Sequence, residues 1–180
     1  MTIYVALLRA IGPATHARMT MADLREGCLK AGFSAVSTYV ATGNVIFEST
    51  KSVTAVRVAV ERIVEHHELS GTCDVFVRSH AQMRRLADSN PFPRATADRP
   101  QRVGVCFFRR SPRSWPAWVS DSEGPERISA LSGHLIIDYG DGDAASRLQI
   151  ERDTGERMTQ RNWNTVSGIL RRMTELRTHR

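Results

Sequence analysis

Residues 159–166, Thr-Gln-Arg-Asn-Trp-Asn-Thr-Val, place an arginine, a tryptophan and two asparagines in four consecutive positions. Trp163, Val166, Ile169, Met173 and Leu176 follow with helical spacing, so a terminal helix begins here. Asn162 is placed to cap it, with its amide oxygen over the free N–H groups of the first turn. Two readings follow. In one, a cap and a buried indole account for the whole segment. In the other, the helix mouth is an anion site. Its free N–H groups and dipole favour negative charge. Arg161 adds a planar fork suited to phosphate or carboxylate, and Asn164 flanks it.

Other residues offer similar choices. Arg9 ends an apolar strand and Arg18 follows the next loop; they are either ligand contacts or surface ion pairs, which contribute little. Asn44, in the turn Ala41-Thr42-Gly43-Asn44, is either a turn residue or a ligand contact. His66, His67, Cys73 and His80 do not converge by spacing, since adjacent histidines point to different helix faces, and no metal is expected. Asp138, Asp141 and Asp143 fall short of a calcium loop, which needs more ligands and a distal glutamate. The chain has no G-x-S-x-G, P-loop or dinucleotide fingerprint. No catalytic residue can be assigned, no cofactor is expected, and the reading leans away from an enzyme.

Composition sets wider bounds. The 180 residues are 41% hydrophobic and 24% charged, as in ordinary globular proteins. No window approaches a membrane span, and the apolar run Ile3 to Leu8 is too short for a signal segment; a cytoplasmic protein without membrane partners is expected. Three scattered cysteines, Cys28, Cys73 and Cys106, argue against a disulfide framework. The net charge of +6 is dispersed, with no polybasic tail. Only Lys30 and Lys51 are lysines; the other 23 of the 25 basic residues are arginines.

These residues must be carried by regular elements. Residues 2–10 read as a strand apolar on both faces, which needs cover on both sides. Thr20 and Asp23 have capping-box spacing and open a helix that stops at Gly32. Two short strands flank residues 41–44. Val53, Val56, Val60, Ile63 and His67 form the stripe of a second helix, and residues 73–79 form a fourth strand. Ser79 and Gln82 open another short helix, and the three prolines of residues 90–100 mark a connector. Strands at 102–108 and on either side of Gly133 follow, with a helix at 144–155. The expected fold class is α+β: two ferredoxin-like (βαββαβ) halves with antiparallel sheets and a C-terminal helix. The expected division is residues 1–89, a connector at 90–101, and residues 102–180.

The segments Tyr4–Gly12, Met21–Phe33, Thr38–Ser49, Asn90–Pro93 and Arg161–Val166 resemble, in order, the signatures of the uncharacterised bacterial family DUF1697. Its members typically open with YVALLRGINVGG, carry a QSGNVVF-like hairpin and close with TRNWNTV. The resemblance covers nearly the whole chain. It implies a cytoplasmic bacterial protein with ferredoxin-like halves, and it implies no activity. It also places Arg147 in a signature segment, within Gly142–Leu148. One departure stands out: where the family reads RGINVGG, this chain reads Arg-Ala-Ile-Gly-Pro-Ala-Thr from Arg9 to Thr15. A glycine-rich loop lets N–H groups approach an anion. Pro13 removes one donor, while Ala14 and Thr15 add side chains.

The functional expectation is a protein that binds a small anionic or phosphorylated ligand in the groove between the halves, through Arg9, Arg18, Asn44, Arg147, Arg161, Asn162 and Asn164. Two alternatives stand beside it. One is nucleic-acid binding by a sheet face, weakened by the dispersed charge and by a third strand, Asn44–Ser49, lacking the aromatic RNA-binding pattern. The other is an assembly role through a sheet face or edge, giving a homo-oligomer.

Overall fold

The computed structural model describes residues 1–121, 124–131, 133–140, 146 and 148–178. It divides into two compact units, Met1–Arg84 with Gly168–Arg180, and Arg85–Ser167. The change of unit thus falls at Arg84/Arg85, ahead of the proline-rich segment, and the chain's last residues group with the first unit. No helix among the described residues is long and apolar enough to cross a membrane.

The first unit contains β1 (Thr2–Leu8), α1 (Pro13–His16), α2 (Met21–Lys30), β2 (Ser34–Thr38), β3 (Asn44–Ser49), α3 (Val53–His66), β4 (Val75–Ser79) and the start of α4 (His80–Asp88). Its antiparallel sheet has the order β2-β3-β1-β4. Tyr4 lies opposite Phe47, and Ala6 lies between Val45 and Val77. Alternation puts Tyr4, Ala6, Leu8, Val45, Phe47, Val75 and Val77 on one face, in a single core with Leu24 and Cys28 of α2 and Val56, Val60 and Val64 of α3. Ile3, Val5, Leu7, Ile46 and Phe76, on the other face, are buried too, as two-sided apolarity requires. The capping box at α2 forms: Asp23 N–H donates to the Thr20 hydroxyl, and the Asp23 carboxylate accepts from Thr20 N–H. Ser79 and Gln82 make the same reciprocal pair ahead of α4.

The second unit holds α5 (Pro93–Asp98), β5 (Val103–Phe108), β6 (Arg127–Leu131), β7 (His134–Asp138), α6 (Ile150–Thr154), β8 (Met158–Asn162) and the first turn of α7 (Trp163–Thr178). Its sheet order, β6-β7-β5-β8, repeats the first: each unit's opening strand is central, between its third and fourth. The fold is therefore α+β, with two four-stranded antiparallel sheets and a terminal helix.

The proline-rich segment is not an irregular connector. Pro93 opens α5, where its missing N–H costs nothing, and Asn90 braces the turn by accepting from Phe92 N–H and donating to Thr96. Between β5 and β6 the chain forms only a 3-10 turn, Ala117–Val119. Trp115, Trp118 and Val119 instead pack on the face of Cys106, Phe108, Leu135 and Ile137. Pro116 limits helix on its N-terminal side, since it disfavours the helical conformation in Trp115. Of the helix expected at 144–155 only α6, Ile150–Thr154, forms among the described residues, ended by Gly155 at φ +68°; Ser146, Leu148 and Gln149 are not helical, and Ala144, Ala145 and Arg147 lie outside the described residues.

Asp138 closes the end of β7. It is 1% exposed, and its carboxylate accepts from Arg127 Nε at 3.0 Å, Arg99 at 3.1 Å and Gly140 N–H at 3.1 Å. Arg127 also lies over the Phe92 ring, 5.1 Å from its centroid. Burial alone would raise the Asp138 pKa, but these donors outweigh it and hold the carboxyl below its ordinary range. A depressed carboxylate pKa stabilises the fold above the unfolded value, near 4, and that contribution is lost as pH falls through the lowered folded value. Asp138→Asn removes the charge that both arginines share. It should cost about 2–3 kcal/mol at pH 7 by urea denaturation, with the gap to wild type closing in acid. An unchanged midpoint at pH 7 refutes this clasp.

The terminal helix carries a second constraint. A Cβ on Gly168 would overlap the Tyr39 hydroxyl oxygen. Alanine gains about 1 kcal/mol over glycine in a helix, whereas overpacking costs about 1–3 kcal/mol. Gly168→Ala should therefore destabilise the protein. In a Tyr39→Ser background the same change should become stabilising, by up to about 1 kcal/mol. Equal effects in both backgrounds, measured by thermal unfolding, contradict the contact.

Candidate functional site

The residues singled out from sequence divide between the units. In the first, Arg9 donates its N–H to the Asp74 carbonyl, and its guanidinium lies 3.8 Å from the Asp74 carboxylate. Arg18 is exposed and donates to the Glu68 carbonyl at 3.1 Å. Asn44 is fully buried, its amide nitrogen donating to the Tyr39 carbonyl and the Thr42 hydroxyl. Gly43 beside it has φ +77°, and a Cβ there would meet Ile11 at 2.6 Å. The Gly-Asn pair therefore builds the hairpin. In the second unit, Asn162 accepts from Thr165 N–H at 3.0 Å, the cap geometry, and Trp163 is buried. Arg161 donates to the Thr159 hydroxyl and the Gln160 carbonyl, and Asn164 is exposed. Arg147, Asp141 and Asp143 lie outside the described residues. Among the described residues no cluster of histidine, cysteine and carboxylates could hold a metal.

The altered loop closes on itself. Ala10 sits at φ +58°. The Thr15 hydroxyl accepts from Gly12 N–H at 2.8 Å and has the Gly12 carbonyl at 2.9 Å. The amide that a glycine-rich loop would offer to an anion is thus already bonded, by a side chain that a glycine could not supply.

A different feature of the first unit offers open cationic groups. A groove of about 490 Å³ runs along the outer side of α2 and α3, within the size range of small-molecule sites. The helices come closest at Gly27, where a Cβ would lie 2.7 Å from Ile63 Cγ2. Gly27, Ala31, Ala59 and Ile63 form the apolar floor. The helices run antiparallel, so residues equally far on opposite sides of this crossing in sequence lie level. With a rise of 1.5 Å per residue, the groove extends about 12 Å along α2 from Asp23 to Ala31.

The two ends differ chemically. At one end are the chain's two lysines. Lys51 Nζ donates to the Ala31 carbonyl at 2.8 Å, at the C-terminus of α2, and lies over the Phe33 ring. Lys30 pairs with Glu26 in an exposed i,i+4 bridge. Arg62, one residue to the lysine side of the crossing, is exposed and makes no hydrogen bond or ion pair among the described residues. At the other end are Asp23, His66 and His67. His67 Nδ1 lies 3.0 Å from the Arg18 carbonyl. A carbonyl only accepts, so Nδ1 carries the proton, and in the neutral ring Nε2 is left as an acceptor. Asp23 stays charged: the hydrogen bond from Thr20 N–H, followed by that from the Thr20 hydroxyl, lowers its pKa. Arg18 thus belongs to the frame of this groove through both its carbonyl and its guanidinium.

Sequence reasoning missed the groove because its residues are separated by up to 44 positions and converge only when the helices pack. One usable signal was present: a glycine inside α2 with alanines and an isoleucine at matching positions marks a close helix crossing.

No curated protein matches the chain. Among solved structures, a conserved bacterial protein from Streptococcus pneumoniae resembles it over 97% of this chain and 99% of that one, with a TM-score of 0.67 and 17% sequence identity. Likeness at that identity concerns the fold. The model of a family described as a protein of unknown function, DUF1697, matches residues 1–136, which include β1, its altered loop, the Gly-Asn hairpin, α2, α3 and the Asn90–Pro93 turn. With three quarters of its length matched, the chain belongs to the DUF1697 family.

Proposed function

We propose that this protein binds a small anionic or phosphorylated ligand, and that the groove on α2 and α3 receives it. The observation that carries this reading is the convergence of Lys30, Lys51 and Arg62 on one half of a 490 Å³ groove with an apolar floor. Lys51 is fixed by its bond to the Ala31 carbonyl, so one cation is pre-positioned. Arg62 is available as a planar fork, the geometry that grips phosphate through two parallel hydrogen bonds. Lys30 can exchange its exposed partner Glu26 for a ligand at little cost, since such bridges contribute well under 1 kcal/mol.

Binding of this kind needs no metal or cofactor and leaves open whether a reaction follows. The expected ligand contacts at the helix mouth of Arg161, Asn162 and Asn164 receive less support, because the Asn162 amide oxygen already serves the first-turn N–H of Thr165.

Titration of the labelled protein with inorganic pyrophosphate, followed by amide chemical shifts, tests the proposal. Saturable shifts are expected at Lys30, Arg62 and Ile63. Arg62→Glu should weaken binding about tenfold or more, the effect of reversing one charge a few ångströms from a polyanion. Shifts confined to Arg9–Thr15 or Arg161–Asn164 move the site elsewhere; the absence of saturation removes it.

A further inference from the structure

We infer that the ligand of this groove is a phosphate monoester of a hydroxylated carbon skeleton, of about hexose-phosphate size, with its hydroxyl end read by His67. The inference rests on the anion-binding reading above and extends it to the end of the groove that the lysines do not reach.

The argument is one of asymmetry. Inorganic phosphate would occupy only the end at Lys30, Lys51 and Arg62, over Ala31 and Ala59, and would leave the floor at Gly27 and Ile63 uncovered. A ligand with an anion at each end is opposed by Asp23, whose carboxylate is held charged by Thr20 beside His67. A purely apolar tail would cover the floor but strip water from the imidazoles and Asp23 without replacing its hydrogen bonds. What the far end asks for is a neutral hydrogen-bond donor. His67 in its neutral form supplies the acceptor, because Nδ1–H donates to the Arg18 carbonyl and Nε2 keeps its lone pair. The ring cannot easily turn away. Arg18 also donates to the Glu68 carbonyl, where the chain leaves α3 at φ +55°, so loop and helix end clasp each other. His66 packs edge-on against His67, with ring centroids 5.4 Å apart. A distance of about 12 Å from Asp23 to Ala31 along the helix suits a phosphate joined to a six-carbon polyol or sugar.

The test compares hexose 6-phosphate with hexyl phosphate, which has the same charge and carbon count but no hydroxyls, against wild type and His67→Asn. Asparagine's amide nitrogen takes the place of Nδ1 and keeps the bond to Arg18, while the acceptor at the Nε2 position disappears. Wild type should bind the hexose phosphate about tenfold more tightly than hexyl phosphate. In His67→Asn the two should bind within about threefold of each other, with hexyl phosphate unchanged. Equal or tighter binding of hexyl phosphate by wild type overturns the inference even if His67→Asn proves unstable, and leaves the anion site standing. So does a gap that survives the substitution in a folded variant. If neither ester nor pyrophosphate binds, the anion site and this extension of it fall together.

Discussion

Strand β1 has no face turned to water: Val5, Ala6 and Leu7 are completely buried, and Ile3, Tyr4 and Leu8 nearly so. Burying an aliphatic or aromatic side chain contributes about 1.5–3 kcal/mol, so this one strand contributes roughly as much gross burial energy as the whole net stability of a typical domain. Everything else in the first unit follows from covering it. β3 and β4 must flank it to satisfy its backbone, and α2 and α3 must lie across one face to dry Tyr4, Ala6 and Leu8. The helices spend their inner stripes on that task. Their outer surfaces are left free to carry chemistry.

What those surfaces can hold depends on how closely the helices approach. Gly27 against Ile63 removes one side chain at the crossing, and Ala31 and Ala59 keep the next positions small. Bulky residues there would fill the valley between the helices. Small ones leave a floor and let the longer side chains, Lys30, Arg62 and the two histidines, stand as walls. The groove is thus a by-product of close packing, and its charge pattern is set by residues that the core does not constrain.

Much of the architecture was legible because local rules and global fold agree. The Thr20–Asp23 box, the Ser79–Gln82 pair, the Asn162 cap and the Gly43–Asn44 turn are each readable from residue type and spacing, and each forms. Periodicity is silent where a different stabilising device takes the place of a long helix. Trp115 and Trp118 cover their part of the second sheet with two large rings and one 3-10 turn, and such a cover has no period to detect. The Pro93 turn misled for the opposite reason, since a proline that breaks a helix interior also begins one. The candidate site was less legible still. Arg18 was singled out for its guanidinium, but its carbonyl, invisible to any side-chain reasoning, fixes the His67 tautomer.

The loop from Arg9 to Thr15 shows why ligand chemistry in this chain is better sought on α2 and α3. In a glycine-rich version of that loop, the amide of residue 12 and its neighbours could turn toward an anion without steric cost. Here Thr15 is 8% exposed, and its hydroxyl bonds inward to Gly12 N–H. An incoming phosphate would have to break that bond and displace a buried hydroxyl before gaining the amide, whereas in the groove it would meet the Arg62 guanidinium, which has no hydrogen-bond or ion-pair partner among the described residues. His16, immediately after, ties the same loop to the hairpin through the Ala41 carbonyl, so the loop is braced at both ends. The Thr15 and His16 side chains make this loop a structural joint. The joint ends at Arg18, whose backbone and side chain together hold the imidazole end of the groove.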